Sequence, residues 1–202
     1  LLVFALLGLS LSGFKNSDFT LLLKSGNYQL TEGQIMQSLR GPATNNYYYR
    51  IIQFYAVPSQ AKKAEMQELG VLFFDYLPKN AFLVAIPAGI QEKQITQFNI
   101  RSIAVVDKAM KFTKVLSTTG IPDWAENGDD TARFVFGFYP NIPTAQIASA
   151  LEAQNASFTF AGEGFVRVTI GENKLETIAN SDLFYYIQEA DPEAEPENFR
   201  AR

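Results

Sequence analysis

The sequence predicts an α+β protein built from tandem ferredoxin-like (βαββαβ) units, each an antiparallel four-stranded sheet with two helices on one face, preceded by a short β-hairpin. Three observations lead there. Two stretches run through the same order of strand-like and helix-like segments. Their registers repeat at an offset of 84 residues. The composition supplies core material, with 47% apolar and 19% charged residues in a chain of 202, enough for one large domain or two small ones.

Leu1 to Gly13 (LLVFALLGLSLSG) is an apolar run close to the h-region length of a secretory signal. It falls short of the ~20 apolar residues that span a bilayer as a helix, so no stable membrane span is expected. The alternative is an ordinary buried helix. Residues 1–14 are therefore expected to be the remnant of a signal peptide, with export to the periplasm, cell surface or medium. Phe19 to Leu30 places Ser25-Gly26-Asn27 between two apolar runs and predicts a hairpin. With polar residues 31–46, it makes a hairpin-and-linker segment, 19–46.

The first unit is expected over residues 47–112. Tyr47 to Tyr55 (YYYRIIQFY) is aromatic and β-branched and predicts a strand. Pro58 opens a run of helix formers that Gly70 stops. Val71 to Leu77 and Ala81 to Ile86 are strands about a Pro78-Lys79-Asn80 turn. Gln91 to Asn99 is a short helix, and a fourth strand centres on Ile103 to Val106. Residues 113–131, with Ile121-Pro122-Asp123-Trp124 and an acidic run to Asp130, form the expected linker. The second unit, 132–190, repeats the order. Its strands are Arg133 to Tyr139, Ser157 to Ala161, Phe165 to Ile170 and Leu183 to Gln188, with helices after Pro143 and over Asn173 to Asn180. Ile52 and Phe54 fall on Phe136 and Phe138, and Phe82, Val84 and Ile86 on Val166, Val168 and Ile170, while the fourth strands agree near 82. A shared offset across several elements signals duplication.

Period-two alternation puts Phe134, Phe136, Phe138, Phe158, Phe160, Val166, Val168 and Ile170 under the helices. The opposite face of the second sheet then carries Arg133, Val135, Tyr139, Phe165, Arg167 and Thr169. The matching face of the first sheet, with Tyr47, Tyr49, Ile51, Gln53, Tyr55, Phe73 and Leu83, is too apolar to stay in water. Either the sheets and the hairpin cover one another, or this face is an interface.

Composition excludes much chemistry. The chain has no cysteine and no histidine, so thiol nucleophiles, Ser-His-Asp catalysis and Cys- or His-based metal sites are absent from these residues. A formal charge of −4 without a basic block argues against nucleic acid, whose binding rests on phosphate neutralisation. No phosphate-cradling glycine loop is present, and no cofactor is expected. Glu126, Asp129 and Asp130, and the acidic tail from Glu189, read as solvated charge runs.

The first unit, YYYRIIQFYAVPSQAKKAEMQELGVLFFDYLPKNAFLVAIP, resembles the N-terminal prodomain region of secreted bacterial subtilisin-like serine proteases. The likeness rests on Tyr49-Arg50-Ile51-Ile52-Gln53-Phe54, on a helix ending Leu69-Gly70, and on Asp75 to Val84 (DYLPKNAFLV). The Leu21 to Gly26 hairpin is similar too, and residues 191–202 (DPEAEPENFRAR) look like a linker into a catalytic domain. The resemblance implies a propeptide with no catalytic residue of its own, acting as intramolecular chaperone and temporary inhibitor of a subtilisin-like domain in cis. Carried onto this chain, it implies an interface of Arg133, Val135, Tyr139, Phe165, Arg167 and Thr169 on the sheet, with Glu189, Ala190, Asp191 and Pro192 leading the tail toward the cleft. The rival readings are an exported tandem binding or adhesion module and a structural spacer.

Overall fold

The computed structural model describes residues 19–190. Residues 1–18, with the expected signal segment, and residues 191–202, with Asp191 and Pro192, lie outside the described residues. The chain opens with a hairpin of β1 (Leu21–Leu23) and β2 (Gly26–Tyr28). The first unit comprises β3 (Tyr47–Phe54), α1 (Gln60–Glu68), β4 (Leu72–Leu77), β5 (Ala81–Pro87), α2 (Glu92–Thr96) and β6 (Ile100–Val105). Two short helices, α3 (Lys108–Lys111) and α4 (Lys114–Thr118), lead to the second unit: β7 (Thr131–Phe138), α5 (Thr144–Glu152), β8 (Ser157–Phe160), β9 (Phe165–Gly171), α6 (Glu172–Ala179) and β10 (Phe184–Glu189). Local chemistry explains the boundaries. The Ser59 side chain caps α1 by accepting from the Lys62 N–H. Gly70, at φ 87°, supplies the left-handed residue that ends this helix.

The two sheets have the same spatial order, β4-β5-β3-β6 and β8-β9-β7-β10, all antiparallel. This is the ferredoxin-like arrangement twice over. The repeat is visible in the hydrogen-bonded pairs themselves: Ile52 opposes Phe82 and Phe136 opposes Val166, both at the offset of 84. The fourth strands follow it as well. Ile52 opposes Ile103, and Phe136 opposes Ile187. The sequence offset of 82 there is corrected to 84. Both units carry a bulge at the same place, with Arg101 and Tyr185 as the extra residues.

Ile52, Phe54, Phe82, Val84 and Ile86 pack with Met66 of α1 and Ile95 of α2 into the helix-side core of the first unit. Phe73 belongs to this core, edge-on to Phe82 at 5.4 Å, rather than to the opposite face where alternation placed it. The cause is a bulge in β4 between Phe73 and Tyr76, because a one-residue slip turns every preceding side chain over. In the second unit, Phe134, Phe136, Phe138, Val166, Val168 and Ile170 meet Ile147 and Leu151 of α5 and Leu175 and Ile178 of α6. That core is continuous with the open face of the first sheet, where Tyr49, Ile51, Leu83 and Ala85 are buried.

The N-terminal segment covers that open face. Leu21 is fully buried there, and Leu30 nearly so. Polar ties fix its position. Gln53 is completely buried; its Nε2 donates to the carbonyls of Phe19 (2.9 Å) and Lys79 (3.1 Å), and its Oε1 accepts from Arg101 Nη1 (2.9 Å). Arg101 also donates to Leu30 O, and Ser102 Oγ to Thr31 O. The carbonyls of Phe19, Leu30 and Thr31 thereby give partners to Gln53, Arg101 and Ser102 on this otherwise apolar face.

Residues 31–46 do more than link. Leu39, in a 3-10 turn, enters the first core, and Ser38 accepts from the buried Arg50 guanidinium and donates to Ile103 O (2.5 Å). Residues 113–131 likewise join the second unit. Phe112 bridges Ile187 in parallel, and the Thr113 N–H donates to Ile187 O (3.2 Å). Replacing Gln53 by alanine leaves several of these buried groups unpaired. The expected loss is about 1–3 kcal/mol of unfolding free energy, read from the shift of the urea midpoint.

Candidate interaction surface

The second sheet's helix-free face starts from three rows of opposed residues: Arg133 with Thr169 and Ser157, Val135 with Arg167 and Thr159, and Gly137 with Phe165. Two of the expected interface residues are not available there. Val135 is 2% exposed and Tyr139 is 1% exposed. Tyr139 packs its ring 4.0 Å from that of Tyr49 and 5.7 Å from that of Phe74, both of the first sheet, and 5.2 Å from Tyr185. The Tyr49 hydroxyl donates to Asn141 Oδ1 at 3.2 Å. The Tyr185 ring lies directly over Gly137, where a Cβ would sit 3.0 Å from it. The aromatic end of the face is thus a contact between the units, drawn in because the first sheet's apolar face needs cover on that side too.

Glu189 is also corrected. It opposes Phe134, is 8% exposed, and accepts from Thr113 Oγ1 at 2.6 Å, so it ties the inter-unit segment to β10 rather than facing a partner. Ala190 does lie at the expected face; its N–H donates to Arg133 O at 2.9 Å.

Arg133, Arg167 and Thr169, with Ser157, Thr159 and Ala190, line a shallow depression of about 250 Å³. Phe165 is half-buried on the same face. The Arg133 guanidinium is fixed by the Asn127 side chain and by the carbonyls of Trp124 (2.9 Å) and Glu126 (3.4 Å). All of these are uncharged acceptors, and among the described residues no carboxylate lines the depression. The described part of this face is polar and carries two arginines. The acidic loop beside it shapes the entry to β7: Asp129 accepts from the Thr131 N–H at 3.2 Å, and Asp130 takes a left-handed turn at φ 58°. Among the described residues, no three carboxylates stand close enough together to hold a metal ion, and no helix is long and apolar enough to cross a membrane.

Sequence reasoning missed Lys111. It is 2% exposed, and its Nζ donates to Ala179 O (2.9 Å) and Ser181 O (2.8 Å) at the C-terminal end of α6. A cation there meets the negative end of the helix dipole. Burial lowers its pKa, while Asp182 and Asp107 act in the opposite sense. The one available signal was a lysine inside an otherwise apolar stretch, Met110-Lys111-Phe112.

A family model described as a domain of unknown function, DUF8729, matches residues 15–107. Its span takes in the hairpin, the 31–46 segment and the whole first unit, and ends where α3 begins. No curated protein and no solved structure matches the chain.

The inter-unit contact has a titratable reporter. Burial is the main cause that raises the Tyr139 hydroxyl well above its ordinary 10.0, and Asp182 adds to it. The folded state holds this proton at pH values where the unfolded chain has released it. The stabilisation is complete below about pH 10 and is lost as pH rises toward the folded pKa. Tyr139→Phe should therefore flatten the alkaline fall in stability above pH 10 while changing little at neutral pH, as measured by urea midpoints across the alkaline range.

Proposed function

We propose that this chain is an exported propeptide region of a subtilisin-like serine endopeptidase, acting as intramolecular chaperone and temporary inhibitor of that catalytic domain. One observation carries the reading: among the described residues, the helix-free face of the second sheet that bears Arg133 and Arg167 lies beside Ala190, from which the chain continues. The ferredoxin-like topology of both units supports it.

The closed face of the first unit favours docking on the second. Tyr49, Ile51 and Leu83 are already covered, whereas Arg133, Phe165, Arg167 and Thr169 are not fully buried. Binding the native enzyme and not its unfolded chain stabilises the enzyme by mass action. An extended segment after Ala190 could pair with a strand edge in the cleft and block substrate. The sheet would supply most of the affinity and the following segment most of the blockade. The rival, an exported binding or adhesion module, differs in what the gene encodes beyond residue 202. An Asp-Thr/Ser-Gly strand end, a His-Gly helix start and a Gly-Thr-Ser motif there would favour the propeptide.

The biochemical test titrates residues 19–202 against the separately refolded catalytic domain of the same gene. A complex at or below about micromolar concentration is expected. Ending the chain at Ala190 should preserve binding and relieve inhibition. A folded chain that forms no complex at that concentration would remove the propeptide reading in favour of the binding module.

A further inference from the structure

The pair Asn127-Gly128 occurs once in the chain, in the turn that leads into β7. Asn127 is exposed, and its side chain belongs to a directed series of hydrogen bonds. Arg133 Nη1 donates to Asn127 Oδ1, Asn127 Nδ2 donates to Thr131 Oγ1 at 2.9 Å, and Thr131 Oγ1 donates to Asp129 Oδ1. A guanidinium only donates, so it fixes which amide atom faces it. The main chain closes the turn around this series: the Asn127 N–H donates to Thr131 O at 2.9 Å, and Glu126 bridges Ala132. The Gly128 N–H donates to no group among the described residues, and nothing stands within 4 Å of the place where a Cβ would sit.

We propose that Asn127-Gly128 is a self-modifying site, at which the folded chain turns the Asn127 amide into a carboxylate through a cyclic imide, with Arg133 as the oxyanion donor. The Gly128 nitrogen gives its proton to water and attacks Asn127 Cγ. The new C–N bond closes the ring, and negative charge gathers on Oδ1. The Arg133 guanidinium, already in contact there, stabilises that charge. The Cγ–Nδ2 bond then breaks, and the nitrogen leaves as ammonia with its own two hydrogens and one proton returned from water. One water molecule next adds to either ring carbonyl. Opening at Cγ gives aspartate. Opening at the Asn127 main-chain carbonyl gives isoaspartate, whose main chain runs through Cβ and Cγ. Glycine suits the second position because no side chain shields its nitrogen. The reaction needs only this turn and water. Its products alter the turn: a carboxylate accepts at both oxygens, where the amide had donated to Thr131. The single Thr131 hydroxyl hydrogen is already given to Asp129, so two carboxylates compete for it. Isoaspartate also lengthens the main chain inside the loop that the Asn127 N–H and Thr131 O close. The modification therefore loosens the entry to β7.

This inference is independent of the propeptide reading. The full chain is kept folded at neutral pH, sampled over time and digested, and the aspartate and isoaspartate peptides are resolved by liquid chromatography and mass spectrometry. Asn127 should convert ahead of Asn155 and Asn180, which are also exposed but precede Ala156 and Ser181. Hydroxylamine, which captures the imide, should cut the chain after Asn127. Conversion in the folded chain should be at least as fast as in guanidinium chloride. Arg133→Gln should slow the folded rate by at least roughly tenfold and leave the denatured rate unchanged. A urea titration shows whether that variant is folded; if it is not, the folded and denatured rates of the unaltered chain decide. Three results would overturn the proposal: Asn127 converting no sooner than Asn155 or Asn180, slower conversion in the folded chain than in denaturant, or a folded Arg133→Gln variant that converts at the unaltered rate.

Discussion

The apolar open face of the first sheet is the constraint on which the rest of the architecture depends. Tyr49, Ile51, Leu83 and Ala85 lie on one side of β3 and β5 with no helix of their own unit above them. At about 25 cal/mol per Å² of apolar surface, leaving four such side chains in water forfeits several kcal/mol, comparable with the whole stability of a small domain. Two bodies share the task of covering them. The N-terminal segment lies over one part, held by Gln53, Arg101 and Ser102. The Tyr139 and Tyr185 end of the second unit abuts the Tyr49 and Phe74 end. The units therefore form one body.

The duplication supplied two copies of one backbone, and the copies diverged where they meet other elements. The bulge residues illustrate it. Arg101 and Tyr185 occupy the same position in their sheets, 84 residues apart. Arg101 uses the extra turn to reach Gln53 and Leu30 O, while its guanidinium stacks 4.6 Å from the Phe19 ring. Tyr185 uses it to lie over Gly137 and meet Tyr139. One backbone irregularity thus fastens the N-terminal segment in one copy and the neighbouring unit in the other.

Much of the fold was legible because alternation and spacing are local. The Phe134, Phe136 and Phe138 series and the shared offset identified the helix-side face and the repeat directly. Phe73 was not legible, because the β4 bulge is a backbone event without a glycine or proline to announce it. Tyr139 and Val135 were placed on the correct face, but alternation assigns a face without saying what covers it. Leu39 was hidden in polar surroundings, and the buried roles of Lys111 and Glu189 depend on partners some 70 residues away. Of the candidate surface, Arg133, Phe165, Arg167 and Thr169 could be read from the strand pattern.

The hairpin has a consequence for the order in which the chain acquires its structure. Its Lys24 Nζ donates to the Tyr186 hydroxyl at 3.0 Å, a contact spanning 162 residues, and its Lys24 carbonyl accepts from the Lys114 N–H. On a ribosome the hairpin emerges before either unit, yet one of its anchoring partners, in β10, is among the last residues of the fold to appear. The first unit can complete its helix-side core as soon as β6 has been made. Its other face must wait, partly bare, until the second unit exists. Contacts of such sequence separation are slow to form, and exposed sheet faces in the interval invite association with other chains. Synthesis thus passes through a half-closed species whose lifetime is set by the time taken to make residues 107–190.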